Sequence, residues 1–199
     1  MKEEKLNDAY IMDTLCNMAR GEEEIDIADT FFIYELDRKK DEEKRKKILA
    51  KARPRPACVK WIIPINYEGY HWILAVVNTV VGNISVYDSL KNREDCVKVV
   101  LKIRDILSEM GMEREWKMVI GTCFKNEQQD DISCGVYMLA AAFLNIVHKS
   151  NIVVGIDMLC SPWEYLRGVE IIQGRRDFDS LSTRDRHPHY FLECILVSK

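Results

Sequence analysis

Residues 126–143 read NEQQDDISCGVYMLAAAF, a polar and acidic loop that meets a single cysteine and passes directly into an apolar helical run. Cys134 stands at that seam. A thiol in the first turn of a helix faces unpaired backbone N–H groups and the positive end of the helix dipole, and both favour the thiolate. Taken alone, a cysteine is more often a small buried core residue than a nucleophile. Its flanks point the other way. Gly135 lets a second backbone come close, Ser133 is placed to cap the helix, and Gln128, six residues upstream, offers an amide donor to a developing oxyanion. A nucleophile with an oxyanion donor still needs a base.

The base is expected from residues 58–88. Segments 58–65 (CVKWIIPI), 71–78 (HWILAVVN) and 83–88 (NISVYD) are rich in β-branched and aromatic residues and are separated by turn-forming stretches, which predicts consecutive antiparallel strands. A loop centred between Val80 and Val81 pairs position 71 with position 90, so His71 and Asp88 share a face at one end of the sheet. A carboxylate bonded to one ring nitrogen fixes the tautomer and turns the other nitrogen to a nucleophile. Singly, His71 reads as a strand-end histidine and Asp88 as a turn former. With Cys134 and Gln128 they read as a catalytic set.

Outward from this centre, residues 6–19 carry Ile11, Met12, Leu15, Met18 and Ala19 on one helical stripe, with Asn7 or Asp8 as N-cap. Residues 25–36 mix a short strand pattern with Phe31, Phe32 and Tyr34, read as packing. Residues 37–55 read as a solvated charged helix with Ile48 and Leu49 as its apolar contacts, ending in a proline-containing connector. Residues 94–110 form an amphipathic helix covering the sheet through Cys96, Val99, Val100, Ile103, Ile106, Leu107 and Met110, with Gly111 as its stop. Residues 116–120 are strand-like. Beyond the Cys134 helix, Ser161 and Glu164 suggest a capped helix to about Gln173, and residues 188–199 a last strand.

The chain has 199 residues, 47% of them hydrophobic, enough for one sizeable core, and residues 1–199 are read as a single domain. A net charge of −3 gives no basic field for nucleic acid. Seven cysteines without zinc-type spacing read as reduced thiols of the cytosol or nucleus. Residues 137–147 fall short of the ~20 apolar residues of a membrane span. His187 and His189 lack companion ligands and read as a surface loop, so neither metal nor cofactor is expected.

The order His71, Asp88, Gln128, Cys134 resembles the ubiquitin-like-protein proteases, the SUMO- or sentrin-specific cysteine peptidases. So do LNDAYIMDTL at residues 6–15, IADTFFIYEL at 27–36, YHWILAVVN at 70–78, ISVYDSL at 84–90 and QQDDISCGVYML at 128–139. Five motifs in order are a specific signal. The resemblance implies an α+β papain-like fold with a mostly antiparallel sheet flanked by helices, and cleavage after the C-terminal diglycine of a modifier, SUMO first, with ubiquitin or a relative also open. Cys134 would attack, His71 carry the proton, Asp88 orient His71, and Gln128 with the Cys134 amide hold the oxyanion. On the substrate side it implies Trp72 as cover of a narrow glycine tunnel, together with Lys5, Asp8, Gln129 and Ser133. The expected protein is an intracellular monomer.

Two positions depart from the family pattern: Lys5 stands where the family has the tryptophan of the second tunnel wall, and Ser133 where it commonly has aspartate. The first departure motivates an alternative, a module that binds a modifier without cutting it. A second alternative is an acetyltransferase on the same Cys, His and Asp arrangement.

Overall fold

The computed structural model describes residues 5–39, 41–121 and 128–147. Their order is α1 (Asp8–Met18), β1 (Ile25–Ile27), α2 (Phe32–Arg38), α3 (Glu42–Ala52), β2 (Lys60–Tyr67), β3 (His71–Asn78), β4 (Asn83–Tyr87), α4 (Arg93–Glu109), β5 (Lys117–Gly121) and α5 (Cys134–Val147). The helix expected from Ser161, the last strand and the two late histidines lie outside the described residues.

The middle of the sheet is β3, buried along its whole length. Its side chains alternate strictly. Trp72, Leu74 and Val76 join one apolar cluster with α1 and α5, while Ile73, Ala75 and Val77 join the other with α2 and α4. A strand apolar on both faces needs a layer on each side, and that requirement produces the α+β sandwich of helices about one sheet. The sheet order is β1-β2-β3-β4-β5. The central three strands pair antiparallel, and the register Leu74 to Tyr87 through Asn78 to Asn83 is the one the sequence predicts. Both flanking strands pair parallel, β1 with β2 and β5 with β4, so the sheet is mixed, antiparallel only at its centre.

Asn7 caps α1, its side chain accepting from the Tyr10 N–H at 2.9 Å, which settles the choice between Asn7 and Asp8. Ile11 and Leu15 are fully buried. The α4 stripe is buried as expected, and Gly111 follows with φ +70°, the left-handed turn that favours glycine at a helix end. Residues 32–38 form a helix rather than continuing a strand. Phe32 packs on Trp61, with ring centroids 5.8 Å apart, but Phe31 and Tyr34 are 51% and 54% exposed, so two of the three aromatics are surface groups rather than packing.

In α5 the apolar run is buried against β3 and α1. Asn145, its one polar interruption, is absorbed by the fold: Nδ2 donates to the Ala141 carbonyl, Oδ1 accepts from the Tyr87 hydroxyl, and its carbonyl accepts from Lys60 Nζ at 2.7 Å. The Lys60 ammonium thus stands at the negative end of the helix whose positive end carries Cys134. Among the described residues no helix is long and apolar enough to cross a membrane.

Candidate active site

His71 is the first residue of β3 and Asp88 the first after β4, so the antiparallel register brings them to one end of the sheet. His71 Nε2 and Asp88 Oδ1 are 2.6 Å apart. The carboxylate is itself held: Oδ1 also accepts from the Leu90 N–H and Oδ2 from the Asn92 N–H, both at 2.9 Å. Asn92 caps α4, so the helix start and the carboxylate are fixed together. With Nε2 engaged, Nδ1 is the nitrogen left for the Cys134 thiol, which hydrogen-bonds to His71 from the first turn of α5.

All three groups are nearly sealed, with His71 at 6%, Asp88 at 8% and Cys134 at 2% exposure. Burial opposes the charged form of each. For His71 that opposition is the largest single influence, yet the hydrogen bonds to Asp88 and Cys134 and the attraction of their charges lift it to about 9. For Cys134 burial again works upward, but the His71 hydrogen bond, the backbone N–H groups of Trp72 and Gly135 and the imidazolium charge bring it below the ordinary thiol value. Asp88 follows the same logic, burial raising it and His71 with two backbone donors bringing it down. Cys58 and Cys96 provide the contrast. They are buried thiols without a base, pushed up chiefly by burial to about 12 and about 11.

Gln128 is buried and tied on three sides. Its N–H donates to the Ser89 carbonyl, its Oε1 accepts from the Ser89 hydroxyl at 2.7 Å, and its Nε2 donates to the Asp130 carbonyl. With Oε1 held by a donor, the amide has one orientation and a second Nε2 hydrogen remains. Ser89 and Asp130 are the residues that sequence reasoning missed. Ser89 stood within the motif ISVYDSL, and its place directly after Asp88 was the available signal. Asp130 draws the nucleophile loop together: Oδ1 accepts from the Ile132 and Ser133 N–H groups at 2.8 and 2.7 Å, and Oδ2 from the Ser133 hydroxyl at 2.7 Å. The Ser133 hydroxyl donates to Asp130, and the Ser133 carbonyl accepts from the Val136 and Tyr137 N–H groups at the helix start.

Trp72 is 5% exposed, and its indole Nε1 donates to the Leu6 carbonyl at 3.2 Å. Lys5 is exposed, with Nζ donating to the Tyr70 carbonyl at 3.1 Å. Gln129 is exposed on the loop beside Gln128. Asp8 stands on the wall of a groove of about 700 Å³ shared with Phe31, Tyr34, Tyr67 and Glu68. Thr30 Oγ1 and Asn66 Oδ1, also in its walls, are buried without a hydrogen-bond partner. Among the described residues no group of His, Cys, Asp and Glu is placed to hold a metal ion.

Comparison with known proteins supplies the remaining findings. The family described as the Ulp1 protease family, C-terminal catalytic domain, matches residues 4–151. The C-terminal Ulp1 protease domain in complex with Smt3, the yeast ortholog of SUMO, matches with TM-score 0.63 at 18% identity, over 73% of this chain and 67% of that one. The SUMO protease Ulp1 with its catalytic cysteine oxidised to a sulfenic acid matches with TM-score 0.65 at 16% identity, over 98% and 79%. The Xanthomonas campestris effector XopD bound to ubiquitin matches with TM-score 0.56 at 16% identity, over 98% and 91%. No curated protein matches the chain. At these identities the structural likenesses establish a shared fold.

Proposed function

The chain belongs to the Ulp1 protease family, and from that premise we propose that it is a cysteine isopeptidase or endopeptidase cleaving after the C-terminal diglycine of a ubiquitin-like modifier, SUMO first. The observation that carries the reading is the buried hydrogen-bonded series of Asp88, His71 and Cys134, with the thiol lowered and the imidazole raised. A cysteine depressed by an imidazolium exists as an ion pair ready to attack a carbonyl.

In the proposed reaction the Cys134 thiolate adds to the scissile carbonyl, and the oxyanion is met by the Cys134 N–H and Gln128 Nε2. His71 then gives its proton to the departing amine, leaving a thioester on Cys134. Neutral His71 next takes a proton from water, and the hydroxide formed releases the modifier with a free carboxylate. Asp88 stays ionised throughout and holds the ring in place. Trp72, one residue from His71, would cover the glycine pair, whose lack of side chains suits so enclosed an approach.

The groove walled by Asp8, Phe31 and Tyr34 would seat the body of the modifier, because it combines exposed aromatics with charged groups of both signs and polar atoms that lack partners. SUMO and ubiquitin, seen with Ulp1 and XopD, set the substrate class to be tested. We read residues 1–199 as one catalytic domain acting on conjugates inside a cell. The test is cleavage of SUMO, ubiquitin and related precursors extended beyond the diglycine. Wild type is expected to release the extension from at least one of them, and Cys134→Ala from none. Turnover of none by wild type would overturn the reading, and acetyl transfer from acetyl-CoA in its place would install the acyltransferase alternative.

A further inference from the structure

Lys5 and Leu6, which precede α1, form a short strap with three contacts in the site. Lys5 Nζ donates to the carbonyl of Tyr70, the residue before His71. The Leu6 carbonyl accepts from the indole of Trp72, the residue after it. Gly135, the residue after Cys134, lies so close that a Cβ there would stand 3.1 Å from Leu6 Cβ and 3.2 Å from Trp72 Cδ1. The strap is therefore bound on both sides of the base and packed against the neighbour of the nucleophile. The backbone N–H groups of Trp72 and Gly135 also favour the Cys134 thiolate. Tyr70, Trp72 and Gly135 each neighbour His71 or Cys134 in the chain.

We propose that Lys5 and Leu6 are positioning residues for Cys134: the strap holds the backbone at Trp72 and Gly135 in register, and Lys5 is its latch on the catalytic strand. The reason for a lysine follows from the geometry. Tyr70 closes the turn between β2 and β3, where Glu68 and Gly69 both have positive φ, and its carbonyl points away from the strand ladder to an exposed partner. An ammonium on a long stem reaches that carbonyl from outside without filling the approach to the thiol. Lys5 makes no ion pair among the described residues, so its bond to Tyr70 is not shared with a carboxylate. The charged and titratable groups on the elements that meet at Cys134 are His71 and Asp88 from the sheet, Asp130 in the preceding loop and Lys5 on the strap. This inference takes Cys134 as the nucleophile and needs no particular modifier.

The test is alkylation of Cys134 by iodoacetamide in the full chain as a function of pH, read by mass spectrometry on the peptide that carries Cys134. Wild type, Lys5→Met and Lys5→Arg are compared. Lys5→Met is expected to move the profile to higher pH and to slow alkylation below the wild-type midpoint by about threefold to tenfold, the scale of one lost hydrogen bond. Lys5→Arg, which keeps a donor, is expected to restore the wild-type profile. A Lys5→Met profile that overlays wild type overturns the proposal, and so does a displacement that Lys5→Arg shares in full. A change in thermal midpoint alone, with the profile unmoved, would reduce the strap to a structural contact and overturn it as well. Since iodoacetamide needs no modifier, a shifted profile in a chain that cleaves no modifier retires the proposed substrate and leaves this inference standing. Modifier cleavage with overlaid profiles does the reverse.

Discussion

At Cys134 burial and hydrogen bonding pull in opposite directions, and the outcome sets how activity should follow pH. The thiol is lowered and His71 is raised to about 9, so thiolate and imidazolium coexist between those two values. Reaction needs both, and kcat/KM is expected to rise as Cys134 ionises and to fall as pH passes about 9. A rate that keeps climbing well above that point would show that neutral His71 is the working form. The same shifts bear on stability. His71, raised from 6.5, adds stability that is complete below the unfolded value and is lost as pH rises through about 9. Asp88, lowered from 3.8, adds stability that is present above its unfolded value and is lost as pH falls through its folded one. Ser89 supplies a second test. Its hydroxyl fixes Gln128 Oε1, so Ser89→Ala is expected to lower kcat about fivefold to tenfold with KM little changed, which steady-state kinetics on a cleaved precursor would read. The triad positions were legible because each rests on a local rule: a helix start for Cys134, a two-residue period for His71 and Asp88. Ser89 and Asp130 were not, because their importance lies in contacts with Gln128 and Ser133 that no periodicity marks. The serine before Cys134 illustrates the difference. A helix-capping place was the local expectation, and the bond from its hydroxyl to the aspartate three residues upstream is a contact that no periodicity marks.

At the scale of the elements, β3 and α4 set the frame on which the site depends. Ile103 of α4 is fully buried in the cluster that backs Ile73, Ala75 and Val77. Ile103→Ala is expected to cost about 2–5 kcal/mol in denaturant unfolding, because transfer and cavity costs add at a site that cannot collapse onto a rigid sheet. A loss well under 1 kcal/mol, the range of exposed substitutions, would show that α4 does not bear on the core as described. The central hairpins were readable from alternation and turn residues down to the register. The edges were less so. β1 has only three residues, and β5 is half exposed, so neither shows the long apolar run by which a buried parallel strand is recognised. The helical turn at residues 32–38 was hidden for a similar reason, since three aromatics in four residues fit a strand as well as a short helix, and only the packing of Phe32 on Trp61 decides it.

At the scale of the molecule, the sheet gathers the candidate catalytic groups at one end, and the groove proposed to seat a modifier is walled by other elements. The triad lies where β3 begins and β4 ends, α5 brings its N-terminus to the same place, and the groove of Asp8, Phe31 and Tyr34 opens alongside α2 and α4. Family membership follows from the chain's own motifs, whereas substrate choice, on the proposed reading, would rest on that groove, assembled from residues far apart in sequence. The most direct measurement of the central claim is covalent trapping: wild type and Cys134→Ala are each incubated with SUMO, ubiquitin and related modifiers carrying a thiol-reactive group at the C-terminal glycine, and the products are weighed. The account predicts an adduct of one chain with one modifier in wild type, absent in Cys134→Ala. An adduct that persists in Cys134→Ala, or none with any modifier, would contradict it.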